Sequence, residues 1–424
     1  MRRLLLSLLA VLPALMLGAQ TYDVLDIVRA DRNKAAGNEG PYRFDAPALT
    51  PAPKGYVPFY ISHYGRHGSR YAWNGETYSV IAKTLEAARA SGSLTERGEK
   101  FYADYQDFQA IPVLNTGDLT DLGREQHAAI AAGMVQAFPE VFAGGGRVLA
   151  RASISERVIV SMNAFTLGLL REAPRLDIEV RSLHTDMPAT CPTRSALDSK
   201  VRYAGRIHVP ESVDSFRARK VDVDGILDKL FSDRRFLEET GGRWRFVYEL
   251  FTLWCGYHNY CEDGRFDDLF TSAQAAGLWE SENYAFYAGH SAARYRHLPL
   301  LADIIDRADE AIRTGGSKAD LRFGHDFVLN AFCPLLDIDG CGHEPETADE
   351  VKYWFHSYDT PMASTLLFIL YRSRKSPDIL FKVLRNGAEV TLPQLNPVSG
   401  PYYRWDDFTA WARDLAAAHP ARPR

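Results

Sequence analysis

Short apolar runs alternate along this chain with stretches in which apolar residues return every three or four positions. Residues 56–62 form an apolar and aromatic run that predicts a buried strand. Residues 78–90 then place Val80, Ile81, Leu85 and Ala88 at helical spacing. The same strand-to-helix order recurs at 147–153 and 155–170. It returns at 321–324, after an amphipathic helix over 300–312 that Gly315-Gly316 breaks. Residues 366–371 and 379–384 read as strands, Asn386-Gly387 as a hairpin turn into residues 389–392, and residues 405–418 as a closing helix. Short helical periodicity also appears at 24–32. Two helix starts, Leu94-Thr95-Glu96-Arg97-Gly98 and Leu119-Thr120-Asp121-Leu122-Gly123, each offer a threonine as N-cap. Strands separated by helices predict an α/β core, whose ligand site belongs at the carboxyl edge of the strands.

Between residues 183 and 300 the pattern changes. Strand-like runs become scarce, and helical periodicity covers 223–230, 246–255, 266–276 and 281–288. This predicts a helical cap at 183–300, inserted into a core made of residues 20–182 and 301–424. The first residues read differently again. Met1-Arg2-Arg3, an apolar run from Leu4 to Leu17 and small residues up to Ala19 read as a signal peptide over residues 1–19. The expected location is periplasmic or secreted. That run is short for a membrane span and nothing later replaces it, so no span is expected.

With 424 residues, 46% of them hydrophobic, the chain can bury a large core. A net charge of −5 provides no general field for nucleic acid, so any anion site must be a local basic pocket. In an oxidising compartment, Cys255/Cys261 and Cys333/Cys341 are plausible local disulfides, with Cys191 left over. Cys255-x-x-His258-x-x-Cys261 lacks a second ligand pair for zinc. The polar loop with Asp337, Asp339, Cys341, His343 and Glu344 lacks calcium spacing and reads as a disulfide-tied surface loop. Gly144-Gly145-Gly146 lacks the spacing of a nucleotide P-loop. Gly289-His290-Ser291 looks like a degenerate serine-hydrolase elbow, but helix rather than strand precedes it.

The densest chemistry is His63-Tyr64-Gly65-Arg66-His67-Gly68-Ser69-Arg70-Tyr71, where the first strand hands over to a helix. Arg66 and Arg70 flank His67, and Gly68 lets the backbone turn closely beside it. Planar guanidinium forks suit a tetrahedral dianion, and a neutral imidazole between them can attack it. The strand at 321–324 would deliver His325 and Asp326 to the same edge, adding an oxygen donor and a proton donor. Arg157 opens the helix after the second strand, whereas Arg151 reads as a strand-end salt bridge.

Arg66-His67-Gly68-Ser69-Arg70 resembles the R-H-G-x-R signature of the histidine acid phosphatases. Ala72-Trp73 stand where that pattern often carries a proline. Leu119-Thr120-Asp121-Leu122-Gly123-Arg124-Glu125-Gln126 resembles the family's L-T-x-x-G-x-x-Q, and Arg151 to Arg157 its R-x-[ST]-x-x-x-R. His325-Asp326 stand where the family has H-D or H-A-E. Trp279-Glu280-Ser281-Glu282-Asn283-Tyr284 and Phe286-Tyr287-Ala288-Gly289 resemble the cap of its multiple inositol polyphosphate phosphatase branch, which usually has H-A-E.

The resemblance implies a histidine-phosphatase-type core and phosphomonoester hydrolysis through a phosphohistidine, without cofactor or metal. His67 would be the nucleophile and Asp326 the proton donor. Arg66, Arg70, Arg157 and His325 would bind phosphate. An acidic optimum and a small-molecule substrate, an inositol polyphosphate such as phytate, are expected. A general acid or sugar-phosphate phosphatase would use the same core. Phosphoglycerate mutase shares the chemistry, but export argues against a glycolytic role. From other classes, a non-catalytic phosphate-binding protein and a hydrolase using Ser291 rank lower.

Overall fold

The computed structural model describes residues 23–42 and 47–424, so the expected signal peptide lies outside the described residues. The strands are β1 (Tyr56–Arg66), β2 (Gly146–Ala152), β3 (Leu176–Arg181), β4 (Val201–Tyr203) and β5 (Ser317–Gly324). They continue with β6 (Thr365–Ser373), β7 (Leu380–Arg385), β8 (Ala388–Glu389), β9 (Tyr403–Arg404) and β10 (Ala421–Pro423). The main sheet has the order β3-β2-β5-β1-β6-β7-β8, with β9 also on β7, and β4 pairs with β10 apart from it. Strands β3, β2, β5 and β1 are parallel, whereas β6 and β7 return antiparallel. This is the expected α/β core.

Register explains how the site is assembled. Arg66 pairs with Gly324, and Ala152 with Phe323. Residues just beyond β1, β2 and β5, namely His67, Ser153 and His325, therefore leave the sheet side by side. The edge read from the sequence is the edge observed.

Helices cover both sheet faces. Glu156–Glu172 and part of Asp121–Ala137 pack on one, in an apolar cluster with Ile61, Val148 and Phe323. Leu298–Thr314, Asp326–Leu335 and Trp405–Ala418 pack on the other, with Tyr60, Phe368 and Phe381. A third cluster unites Glu76–Ala90 and Glu96–Phe108 with residues from Val223–Leu230, Arg243–Gly256 and the first half of Ser272–Gly289. The helical layer beside the cleft thus draws on early helices as well as on helices between residues 223 and 289.

Several local expectations need correction. β1 runs on through Ser62, His63 and Arg66, all buried; the Ser62 hydroxyl accepts from Arg322 at 2.9 Å, and the His63 ring lies against Phe165 and Phe323. β3 was not anticipated, although Leu176, Ile178 and Val180 alternate with polar residues. The helix expected over 266–276 begins only at Ser272, where Thr271 and Gln274 form a capping box. Phe266, which mimicked helical spacing, fills an aromatic cluster with Phe101 and Phe108 instead. All five cysteines are free thiols. Cys255, on a buried helix face, points its Sγ at the Ala35 carbonyl rather than at Cys261, and Cys333 and Cys341 are each buried as free thiols, so neither expected disulfide is present. The 337–344 loop is held by Asp339, whose carboxylate accepts from the Thr391 amide (2.8 Å) and hydroxyl (3.0 Å).

Arg151 behaves as expected: it makes two bonds to Asp303, at 2.9 and 2.6 Å. Asn386 (φ 53°) and Gly387 (φ 80°) turn the β7–β8 hairpin, as their left-handed preference predicts.

Two core histidines give the fold a pH dependence. His63 and His127 each lie against Phe165 and Phe323, with His63 centroids at 5.1 and 5.0 Å. Burial pushes both imidazoles down to about 3, assisted at His63 by His127 and Arg322. Their neutral folded forms bind fewer protons than the unfolded chain below pH ~6.5. Stability is therefore complete above that value and is lost as pH falls, by about 1.4 kcal/mol per unit for each histidine. Thermal unfolding between neutral and mildly acidic pH should show this fall, and His127→Leu should flatten it. Identical slopes would contradict the assignment.

Candidate active site

Three contacts give the R-H-G-S-R segment its shape. The Ser69 carbonyl accepts from the Thr120 amide (2.9 Å) and hydroxyl (3.0 Å), while the Ser69 amide donates to Gln126 Oε1 (2.9 Å). Thr120 also caps its own helix at the Gly123 amide. The Gly68 amide donates to Ser161 Oγ at 3.1 Å. The L-T-x-x-G-x-x-Q stretch is therefore the clamp of the R-H-G-S-R loop. Both glycines are required by close approach: a Cβ on Gly68 would stand 2.7 Å from the Gly123 Cα, and one on Gly123 would collide with the Ser69 carbonyl.

His67 is buried, and its backbone is pinned by Gly324 on one side and by Ala363 on the other. Its Nδ1 lies 3.0 Å from the Gly68 carbonyl. A carbonyl only accepts, so this contact assigns the proton to Nδ1 and leaves the Nε2 lone pair free. Burial, then Arg66, Arg157, Arg70 and His325, push this imidazole well below 6.5. It stays neutral in mild acid, with that lone pair available.

The expected guanidiniums gather around it. Arg66 is fully buried; Nη1 donates to the carbonyls of Thr360 (2.9 Å) and Asn38, whereas Nε and Nη2 have no hydrogen-bond partner among the described residues. Arg70 donates to Glu39 at 2.9 Å and also keeps its Nε unbonded. Arg157 has an unbonded Nε too, and burial, reinforced by Arg70 and other cations, pushes its pKa down to about 10. Crowded guanidiniums with spare donors form a site for an oxyanion. His325, its Nε2 3.1 Å from Ser153 Oγ, has its ring centroid 5.8 Å from that of His67. Burial and Arg157 push His325 down to about 3.

Asp326 opens the helix after β5 and lies 3.6 Å from Arg66 Nη2, where it also accepts from the Asn38 side-chain amide. Burial would raise its carboxyl, but Arg66, Arg70, His325 and His290 together hold it below the usual carboxylate range. The free site thus holds Asp326 ionised in mild acid. A phosphate dianion that takes over the arginine charge would restore its affinity for a proton.

All six expected side chains therefore meet at one edge. Five, His67, Arg70, Arg157, His325 and Asp326, line one cleft of about 310 Å³, and Arg66 lies behind it. Other cleft residues were missed. Asn38 and Glu39 arrive on a short 3₁₀ turn, Gly37–Glu39, whose composition carries no motif. Arg194 ends the 3₁₀ turn Pro192–Arg194 and lies over the Phe327 ring at 4.7 Å. His290, from the discarded elbow motif, lines the cleft, as do Trp73, Tyr248, Trp279 and Glu282. Trp73, standing where a proline was expected, is exposed at the rim. Ser291 is buried in a 3₁₀ turn after a helix, not at a strand end. Among the described residues no His, Cys, Asp and Glu cluster could hold a metal, and no helix is long and apolar enough to cross a membrane.

Residues 65–205 match the family model of the histidine phosphatase superfamily (branch 2). No curated protein matches the chain by sequence. Among solved structures, the chain is similar to the Bifidobacterium longum multiple inositol polyphosphate phosphatase in complex with inositol hexasulfate, with TM-score 0.75 and 18% identity. That match covers 91% of this chain and 98% of the other. The phytase from D. castellii matches with TM-score 0.68 and 16% identity, over 91% of this chain and 85% of its own. The Citrobacter braakii phytase gives 0.58 and 13%, over 85% and 98%. The fold is shared across these structures.

The loop clamp leads to a test. Gly68→Ala should lower stability by about 1–3 kcal/mol through overpacking and should reduce kcat more than it raises KM. Thermal unfolding and initial rates measure both; an unchanged kcat would show that the clamp does not position His67.

Proposed function

We propose that this chain, a phosphoric monoester hydrolase by its histidine phosphatase (branch 2) segment, acts through a phosphohistidine on inositol phosphates. The observation that carries this reading is the His67 Nε2 lone pair, set among three arginines with unbonded donors. His67 attacks phosphorus in line, forming the N–P bond as the ester P–O bond breaks. Arg66, Arg70, Arg157 and His325 hold the non-bridging oxygens and offset their charge. Asp326 gives its proton to the leaving alkoxide and then takes one from the water that cleaves the phosphohistidine. Every atom in this cycle comes from the ester, water and these side chains.

Inositol phosphates are supported by what the similar solved structures are named for, and phytate is the substrate expected from the sequence. We assign residues 183–300 as a cap over a core of residues 20–182 and 301–424; it contributes Arg194, Tyr248, Trp279, Glu282 and His290 to the cleft. The apolar leader supports export to the periplasm or medium, where a scavenging phosphatase would meet its substrate. A general acid phosphatase is the second reading, favoured by the aromatic side chains along the cleft.

Phosphate release from phytate and from p-nitrophenyl phosphate, with a chelator present, separates these readings. Wild type should release phosphate from both, and His67→Ala should lose at least three orders of magnitude, about 4 kcal/mol of transition-state stabilisation. Release from the generic ester alone would retain the mechanism and discard inositol phosphates. No release from either would favour a binding protein. Because His67 sits well below 6.5, kcat/KM should show no acid limb near that value. A fall there would mean that the imidazole titrates normally.

A further inference from the structure

Asn38 has no part in the chemistry above, yet it touches two residues that do. It is the middle residue of the 3₁₀ turn Gly37–Glu39 and is buried. Successive backbone carbonyls hold the chain there. Arg66 Nη1 donates to the Asn38 carbonyl, Asn259 Nδ2 to that of Glu39 (2.7 Å) and the Met362 amide to that of Gly40 (2.9 Å). Gly37 (φ 56°) is tightly enclosed as well: a Cβ there would stand 2.9 Å from Ser357 Oγ and 3.4 Å from Trp279 Cδ1. The turn is thus fixed on both sides, and with it the place from which the Asn38 side chain starts.

That side chain reaches the carboxyl assigned as proton donor. Asn38 Nδ2 donates to Asp326 Oδ2, and Arg66 Nη2 faces the same oxygen from 3.6 Å. A carboxylate only accepts, so the amide nitrogen rather than the amide oxygen must face it. Asp326 Oδ1 makes no hydrogen bond among the described residues, and Asp326 lines the cleft together with His67.

The two oxygens of Asp326 are therefore unlike. An amide N–H can only donate, so Oδ2 must remain an acceptor when the carboxyl takes up a proton. The proton then belongs on Oδ1. The donor is also neutral, so it adds nothing to the charge of Arg66 and Arg70, which already opposes protonation. We propose that Asn38 is a positioning residue for the proton donor: it holds Oδ2 and thereby keeps the transferable proton on Oδ1, for the leaving oxygen. As the ester P–O bond breaks, that proton passes from Oδ1 to the alkoxide, and Oδ1 later takes one from the attacking water. This rests on the phosphatase reading above.

The test uses kcat/KM, which reads the steps up to departure of the leaving group, on glycerol 2-phosphate and on p-nitrophenyl phosphate. An alkoxide needs a proton to leave, whereas nitrophenolate leaves without one. Asn38→Leu removes the amide donor and keeps the backbone carbonyl that Arg66 uses; Asn38→Ala does the same without overpacking. Thermal unfolding identifies the folded variants. In these, the loss on the alkyl ester should exceed the loss on the nitrophenyl ester by about tenfold, part of what a general acid contributes. Because Asn38 acts through Asp326, the same substitution in Asp326→Asn should leave the ratio of the two esters unchanged. Equal losses on both esters, or a further shift of the ratio in the Asp326→Asn enzyme, overturn the inference and leave the phosphatase reading intact. Failure of both variants to fold would make Asn38 a structural residue and overturns the inference too. A wild type that turns over neither ester overturns both readings.

Discussion

A buried guanidinium organises this molecule. Arg66 ends the central strand with no exposure to solvent, a position that costs several kcal/mol unless its charge is met. Thr360 and Asn38 supply carbonyls, and Glu39 and Asp326 supply charge at 3.6 Å. One side chain thereby fixes the early segment, the start of the helix after β5 and the loop before β6. What it leaves open matters equally. Two of its donors remain without a hydrogen-bond partner among the described residues, and in the proposed reaction they are free to serve an incoming oxyanion.

The same field sets the protonation states for the chemistry. Burial and the arginines keep His67 neutral where an ordinary imidazole would begin to charge, while Arg66 and Arg70 keep Asp326 ionised. In the proposed reaction His67 is ready before substrate arrives and Asp326 is not. Binding of a dianion offsets the cations and so favours protonation of Asp326, which ties acid catalysis to occupancy of the site. The acidic optimum expected from the sequence thus depends on the loaded site rather than on the empty one.

Much of this was legible in the residues. The strand ends at Ala152 and Gly324 could be read because apolar runs and adjacent charged clusters mark them, whereas β1 runs on to Arg66, past the apolar run over 56–62, through polar residues that are buried. The clamp at Thr120-Asp121-Leu122-Gly123 was legible as a helix start, but not as a clamp, because its partner Ser69 lies about fifty residues away and only register brings them together. Phe266 misled because an aromatic cluster in turns can imitate helical spacing. The cysteines misled because sequence proximity does not set Sγ direction. Glu39, Arg194 and Glu282 were missed as cleft residues for one reason: their roles come from burial and from facing elements, and an isolated Glu or Arg carries no pattern.

The most direct measurement is to quench the enzyme during turnover, digest it under conditions that preserve phosphoramidates, and locate phosphate by mass spectrometry. The account predicts phosphate on the peptide containing His67, attached through Nε2, and its disappearance when turnover is allowed to finish. Phosphate on Ser69, Ser291 or His325 instead, with His67 unmodified, would contradict the assignment of the nucleophile and with it the central claim.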